Sequence, residues 1–382
     1  MSPDRRRLLI TLAGSLLLPI SLGGWMSGAA LLASEPTPIR RDEDIEFFST
    51  SARLTDDGRI WVAEVRGWIY EPESGDLLRG AMLRQLQSGI GRLSPQTDRA
   101  VLDARLRRFL FDNERGKRVA IDVLGRTVVL PESAVDGHFS DTLHIPAADV
   151  VGVPEGEPIR YHALLGERDG RRIEGRIWRV SREGVTVISD IDDTVKHTDV
   201  RNRTELLQNT FARPFAPVPG MSELYRRWAA EGAWFEYVSG SPWQLHAPLT
   251  EFLAAEEFPD GPLHLRRVRL KDASILELAA DPLESKLERI ERIFARWPGR
   301  RYVLVGDSGE RDPEVYGELL RRFPDRILFA AVRDVTSEAR TSERYASAFR
   351  DVPEERWRLF VDPAELPALK TLSLPQAAGV IP

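Results

Sequence analysis

Three acids crowd into five residues at Asp190-Ile191-Asp192-Asp193-Thr194, directly after the apolar run 185–189. Carboxylates at the tip of a buried strand repel one another. A divalent cation relieves the repulsion, because hard cations take carboxylate and carbonyl oxygens. The competing reading is a helix start capped by acids. Further pieces follow in order along the chain. Tyr237-Val238-Ser239-Gly240-Ser241-Pro242 ends a second apolar run with a hydroxyl and a glycine turn. There the Ser239 side chain and the next backbone N–H groups can hold phosphoryl oxygens. Lys286 opens a helical pattern. The run 302–312 then sets Asp307 and Asp312 beyond a third strand. Lys117, Lys196, Lys271, Lys286 and Lys370 are the chain's lysines, every other cation being Arg, so a lysine in register with the acids is informative. Lys271 competes with Lys286 for that place but does not open the helix leading to Asp307.

These pieces need a scaffold that brings strand ends together. From residue 181 onward, apolar strands at 185–189, 234–238, 302–305 and 327–332 alternate with amphipathic helices. That alternation predicts an α/β domain over 181–362, a parallel, Rossmann-type sheet with helices on both faces. A helix over 287–297 carries Leu287, Ile290, Ile293, Phe294 and Trp297 on one stripe. Ligands of such sheets bind beyond the carboxyl ends of the strands, where the acids fall. Residues 45–180 read as a mainly β accessory domain with strands at 60–70, 118–124, 127–130 and 172–180. It holds one helix, with Ser94 as N-cap and Pro95 at its first position, and Val101, Leu102, Leu106, Phe109 and Leu110 as its apolar face. The segment 195–232 is where a small cap would sit; its Phe211, Phe215 and Met221 suit either acyl chains or ordinary packing. The proline-rich end, 363–382, reads as a loose tail.

A formal charge of −6 excludes an overall basic field for nucleic acid. Cysteine is absent, which removes disulfides, thiolate metal sites and a Cys nucleophile. Residues 1–34 read as a signal or membrane anchor: Arg5, Arg6 and Arg7 precede an apolar run at 8–33, long enough for a membrane-spanning helix. The arginines would stay in the cytoplasm. The rest would be exported, anchored to the inner membrane facing the periplasm, or periplasmic if the leader is cleaved.

The four pieces match the motifs of the haloacid-dehalogenase superfamily. The longer runs ISDIDDTVKHTDV, PVPGM, YVSGSPWQL and LVGDSGERDPEVY resemble more narrowly the App1 family of phosphatidate phosphatases, over residues 180–335. The resemblance implies Mg²⁺-dependent hydrolysis of a phosphate monoester through an aspartyl-phosphate, with phosphatidate yielding diacylglycerol and phosphate. Asp190 would be the nucleophile, and Asp192 would protonate the leaving alkoxide and then deprotonate water. The metal set would be Asp190, the backbone carbonyl of Asp192, Asp307 and Asp312. Asp312 would act as ligand or through a metal-bound water. Ser239 and Lys286 would stabilise the phosphoryl oxygens, with Thr194 and Gly240 completing the substrate contacts. Asp193 reads equally as cap or ligand. Glu310 and Arg311 read as loop residues, His197 and His246 as surface or packing residues, and Trp243 and Gln244 as pocket lining or packing. Two alternatives stand beside this: a phosphatase for a soluble periplasmic ester, and an exported binding protein without catalysis.

Overall fold

The computed structural model describes residues 26–27, 35–72, 97–267 and 283–372. Two sheets organise them. The first takes β1 (Met26–Ser27), β2 (Asp44–Phe48), β3 (Thr50–Leu54), β4 (Ile60–Glu71), β5 (Asp112–Asn113), β6 (Ala120–Val123), β7 (Arg126–Val129), β8 (His138–Pro146), β9 (Ile159–Ala163) and β10 (Glu174–Val180). Its order is β1-β8-β4-β3-β10-β9-β6-β7, with β2 and β5 also on β4. The pairs are antiparallel, except β3 and β10, which run parallel. Side chains alternate across a strand, and Val65 and Ile69 of β4 join Ile45, Ile121, Leu143 and Ile177 in one buried core. Gly67 permits a close crossing, since a Cβ there would lie 2.9 Å from the Glu46 carbonyl oxygen.

The second sheet holds β11 (Gly184–Ser189), β12 (Trp234–Pro242), β13 (Leu263–Arg266), β14 (Arg300–Asp307), β15 (Ile327–Arg333) and β16 (Trp357–Phe360). All its pairs are parallel, in the order β13-β12-β11-β14-β15-β16. The chain leaves β11 toward β12 on one side and returns as β14 on the other, so a crevice opens beyond the end of β11. Its helices are α2 (Arg203–Leu207), α3 (Met221–Ala230), α4 (His246–Ala255), α5 (Leu283–Arg296), α6 (Asp312–Arg322) and α7 (Glu343–Ala348). Val187, Val303 and Val305 face a core with α3 and α4, whereas Ile188 and Leu304 face one with α5, α6 and α7. Both faces are covered, which is why these strands are apolar throughout.

Two expectations change, and a third lies almost wholly outside the described residues. The helix of the β region, α1 (Arg99–Arg107), is capped by Asp98, whose carboxylate accepts from the N–H groups of Ala100 and Val101; Ser94 and Pro95 lie outside the described residues. Its Leu102 and Leu106, with Phe109, bury themselves in the core of the second sheet, so the two regions interlock. In the tail, residues 363–372 are docked: Leu366 and Leu369 are buried, and the Trp228 indole N–H donates to the Pro367 carbonyl at 3.0 Å. The apolar run at 8–33 falls outside the described residues except for Met26–Ser27, which pair as a strand with Leu143 and His144. Among the described residues no helix is long and apolar enough to cross a membrane.

Candidate active site

Asp190 follows β11 and continues its ladder, its N–H donating to the Val305 carbonyl at 2.8 Å. Beyond it the chain turns sharply. Asp193 has φ +54, a left-handed conformation that Asp tolerates better than most residues. Its carboxylate collects the N–H groups of Thr198, Asp199 and Val200 at 2.7–2.8 Å, and Arg333 donates to its carbonyl. Asp193 therefore ties down the loop after the acids.

Two knots of charge form at this rim. In the first, Lys286 from the opening turn of α5 lies 2.9 Å from Asp190 Oδ1 and 3.3 Å from Glu310 Oε2, and also pairs with Asp312. Asp312, at the start of α6, accepts the Asp307 N–H with Oδ2. Gly306 makes that approach feasible, because a Cβ there would stand 2.0 Å from Asp312 Oδ2. Asp307 Oδ1 accepts the N–H groups of Gly309 and Glu310, turning the loop so that carboxylate oxygens of Asp190, Asp307 and Glu310 all lie within 4.8 Å of one another. The loop is held from behind by Arg344, which donates to the carbonyls of Ser308 and Glu310. Burial, reinforced by the neighbouring acids, pushes the carboxyls of Asp190 and Asp307 well above the usual carboxylate range, with Lys286 opposing. Burial works against the Lys286 charge, yet Asp190, Asp312 and Glu310 outweigh it and raise the ammonium.

The second knot surrounds Asp192. Oδ1 accepts from Lys196 Nζ at 2.6 Å and Thr198 Oγ1 at 2.8 Å. Oδ2 accepts from Ser239 and Ser241 hydroxyls, each at 2.9 Å. Burial would raise this carboxyl, but Lys196 and the hydroxyls prevail and hold it at about 2. Lys196 is itself fully buried, its position fixed by bridges to Asp192 and Pro217.

Against the expected set, Asp190, Asp307, Asp312 and Lys286 converge. Glu310, read from sequence as a loop residue, stands with Asp190 and Asp307, while the Asp312 carboxylate is engaged by Lys286 and the Asp307 N–H. Ser239 faces Asp192 here. Gly240 is half-buried within β12, and Thr194 is buried with its hydroxyl unpartnered. Lys271 lies outside the described residues. His246 meets Glu46 at 2.7 Å, and Trp243 packs edge-on against Trp68 and His138, so both join the two sheets. Phe211 packs on Phe109 and Phe215 under Arg105, which fills the 195–232 segment with contacts to α1. The sequence reading missed Lys196, Thr198 and Ser241; the scarcity of lysine was the only signal for any of them.

Residues 185–334 match the model of the phosphatidate phosphatase APP1 catalytic domain. This stretch belongs to the App1-type family. An uncharacterized protein of Schizosaccharomyces pombe is 35% identical over 42% of this chain and 26% of its own length. Phosphatidate phosphatase APP1 of Saccharomyces cerevisiae is 34% identical over 40% of this chain and 26% of its own. The chain thus spans about a quarter of the length of the curated relatives it matches. A phosphoserine phosphatase in apo form superposes with a TM-score of 0.26 at 12% identity, over 39% of this chain and 85% of that one, too loosely to carry an argument. The acids, lysines and hydroxyls of the two knots fall inside the App1-type stretch, and Arg344, which braces the loop, lies just beyond it.

Proposed function

We propose that this chain hydrolyses a phosphate monoester with the help of Mg²⁺, through a phosphoryl-aspartate on Asp190. The observation that carries the reading is the meeting of Asp190, Asp307 and Glu310 beside Lys286 at the end of β11. The donor set fits a hard cation. Oδ2 of Asp190 and Oδ2 of Asp307 are buried without a hydrogen-bond partner, and Asp190, Glu310 and Asp312 share a single ammonium. Asp190, Asp307 and Glu310 would hold the ion through oxygen alone. When bound it supplies the positive charge that lets a carboxylate meet a phosphate dianion.

The chain's own residues divide the rest. A carboxylate oxygen of Asp190 attacks phosphorus, the ester P–O bond breaks, and an alkoxide leaves. Lys286 stabilises the phosphoryl oxygens in the transition state. Asp192 gives the alkoxide its proton and later takes one from the water that cleaves the phosphoryl-aspartate. Four donors hold Asp192 ionised in the present arrangement. Its acid–base role therefore requires Lys196 to release Oδ1, and Ser239 and Ser241 to turn toward the phosphoryl oxygens as substrate arrives, so that Asp192 enters the cycle protonated; the turn also gives Ser239 its substrate contact.

Phosphatidate is the substrate we propose, because the matched family is described by that activity. A soluble phosphate ester is the second reading. It is favoured by the packing of Phe211 and Met221 into the interior, and by Val135, Val151, Leu164 and Val361 being the exposed large apolar side chains among the described residues. Phosphate release from micellar phosphatidate and from glycerol phosphate, each with Mg²⁺ and with chelator, separates them. Release from neither with Mg²⁺ present would overturn the enzyme reading. We further propose export, anchored or periplasmic, from the pattern of residues 5–33; recovery of the native protein in the cytosolic fraction would sink it.

A further inference from the structure

α1 (Arg99–Arg107) stands among the strands of the β region in the chain, outside the stretch 185–334 that matches the catalytic-domain model. Its contacts nonetheless converge on the segment that holds Asp192. That segment leaves the acids, passes through α2 and ends in one wide π-helical turn, Gln208–Ala212. Carbonyls at the end of a helix lack partners within it. Here α1 supplies donors to them. The Asp98 N–H donates to the Ala212 carbonyl at 2.7 Å, and Arg105 Nη1 donates to the Thr210 and Arg213 carbonyls, each at 2.8 Å. Arg105 is 7% exposed, so these bonds are charge-assisted and shielded from water. The helix is pinned in turn at its other end. Arg108, one residue past it, donates through Nε to the Gln244 carbonyl at 2.6 Å, just beyond β12, and pairs with Glu46 of β2.

Two lines run from this grip to Asp192. The Arg105 guanidinium stacks 3.5 Å from the Phe215 ring centroid, and the same ring lies 5.0 Å from Lys196 Nζ. Both cations are drawn to the ring's electron-rich face, so Phe215 links their positions. Lys196 Nζ meets Asp192 Oδ1 and Thr198 Oγ1, each at 2.6 Å. The second line runs through Asn209 of the wide turn. Its amide donates to the Thr198 carbonyl at 3.1 Å, and Thr198 Oγ1 donates to Asp192 Oδ1 at 2.8 Å. Both donors to Asp192 Oδ1 therefore stand on backbone that α1 braces. A proton-transfer group misplaced by about 1 Å loses much of its effect, which gives the brace a consequence for chemistry as well as for packing.

We propose that Arg105 is a positioning residue for proton transfer by Asp192, acting through Phe215 and the 208–213 turn on Lys196 and Thr198, a role that rests on the phosphatase reading above. The test compares two phosphate esters in Mg²⁺, using the full chain. The first is an alkyl ester, glycerol phosphate or micellar phosphatidate, whichever the parent hydrolyses faster; its alkoxide needs a proton to leave. The second is nitrophenyl phosphate, whose phenolate leaves without one. Arg105→Ala should lower kcat/KM about a hundredfold for the alkyl ester and about threefold or less for the aryl ester. Arg105→Lys, which keeps a cation by the ring and a donor by the carbonyls, should recover most of the loss. If Arg105→Ala does not fold, Phe215→Leu, which removes the ring face and keeps an apolar side chain, should show the same bias at about tenfold. A brace that serves packing alone would cost both esters in proportion. Equal losses on the two esters, or alkyl-ester activity untouched by the variant that folds, would overturn this proposal and leave the phosphatase reading standing. A parent inactive on both esters would overturn that reading and this proposal with it.

Discussion

At the scale of single residues, the site sets acids with opposite tendencies side by side. Asp192 is held at about 2 by Lys196 and three hydroxyls, so its ionised form contributes stability above the ordinary carboxylate pKa and loses it as pH falls through about 2. Removing the cation reverses the balance, because burial alone favours the neutral acid. Thermal melts from pH 4 downward should fall less steeply for Lys196→Met than for the parent; parallel slopes would deny the pairing. Asp307 has the opposite sign. Its raised pKa makes the folded state prefer the protonated form, so without a cation its contribution is full below the ordinary carboxylate pKa and is lost as pH rises toward the folded value. Asp307→Asn is therefore expected to melt above the parent at neutral pH in chelator. It should also lose most of the stabilisation that Mg²⁺ gives the parent by binding the native state. Differential scanning fluorimetry with and without the ion reads both effects.

At the scale of elements, the chemistry depends on how three strand ends and two helix starts are trimmed. Gly306 lets Asp312 fold back onto the Asp307 N–H, and Arg344 braces the loop that carries Glu310. Gly306→Ala would push Asp312 away and unseat both Asp307 and Lys286. A loss of about a hundredfold in kcat is expected, of the size that follows from misplacing catalytic groups by about 1 Å. Activity within twofold of the parent would show that the loop does not need this contact. Much of this level was legible in the sequence. The strands after 181 announce themselves by apolar runs, and the acids, Ser239 and Lys286 by their places at the ends of those runs. The roles of Glu310 and Lys196 were not legible. Which carboxylate a buried lysine meets, and which way a loop acid swings, are set by backbone turns at Asp193 and Gly309 that leave no periodic trace. β13 and β16 were missed because four-residue strands at a sheet's edges, Leu263–Arg266 and Trp357–Phe360, carry too few residues to show a pattern.

At the scale of the whole molecule, the two sheets are one interlocked body where α1 crosses between them. Arg105 donates to the carbonyls of Thr210 and Arg213 and stacks 3.5 Å from the Phe215 ring centroid. Such long-range packing is invisible to a reading of local pattern, which assigned α1 to the β region alone. Arg105→Ala should cost about 1–3 kcal/mol of stability through the buried carbonyls it abandons, measurable by chemical denaturation; a change within error would mean the crossing contributes little. In the proposed reaction Asp190 carries the phosphoryl group. The most direct test is an acid quench during turnover of a phosphate ester in Mg²⁺, followed by peptide mapping of the trapped phosphoryl-protein. A label is expected on Asp190, absent in Asp190→Asn and in chelator. Turnover that proceeds with the label on another residue, or at an undiminished rate in Asp190→Asn, would contradict it.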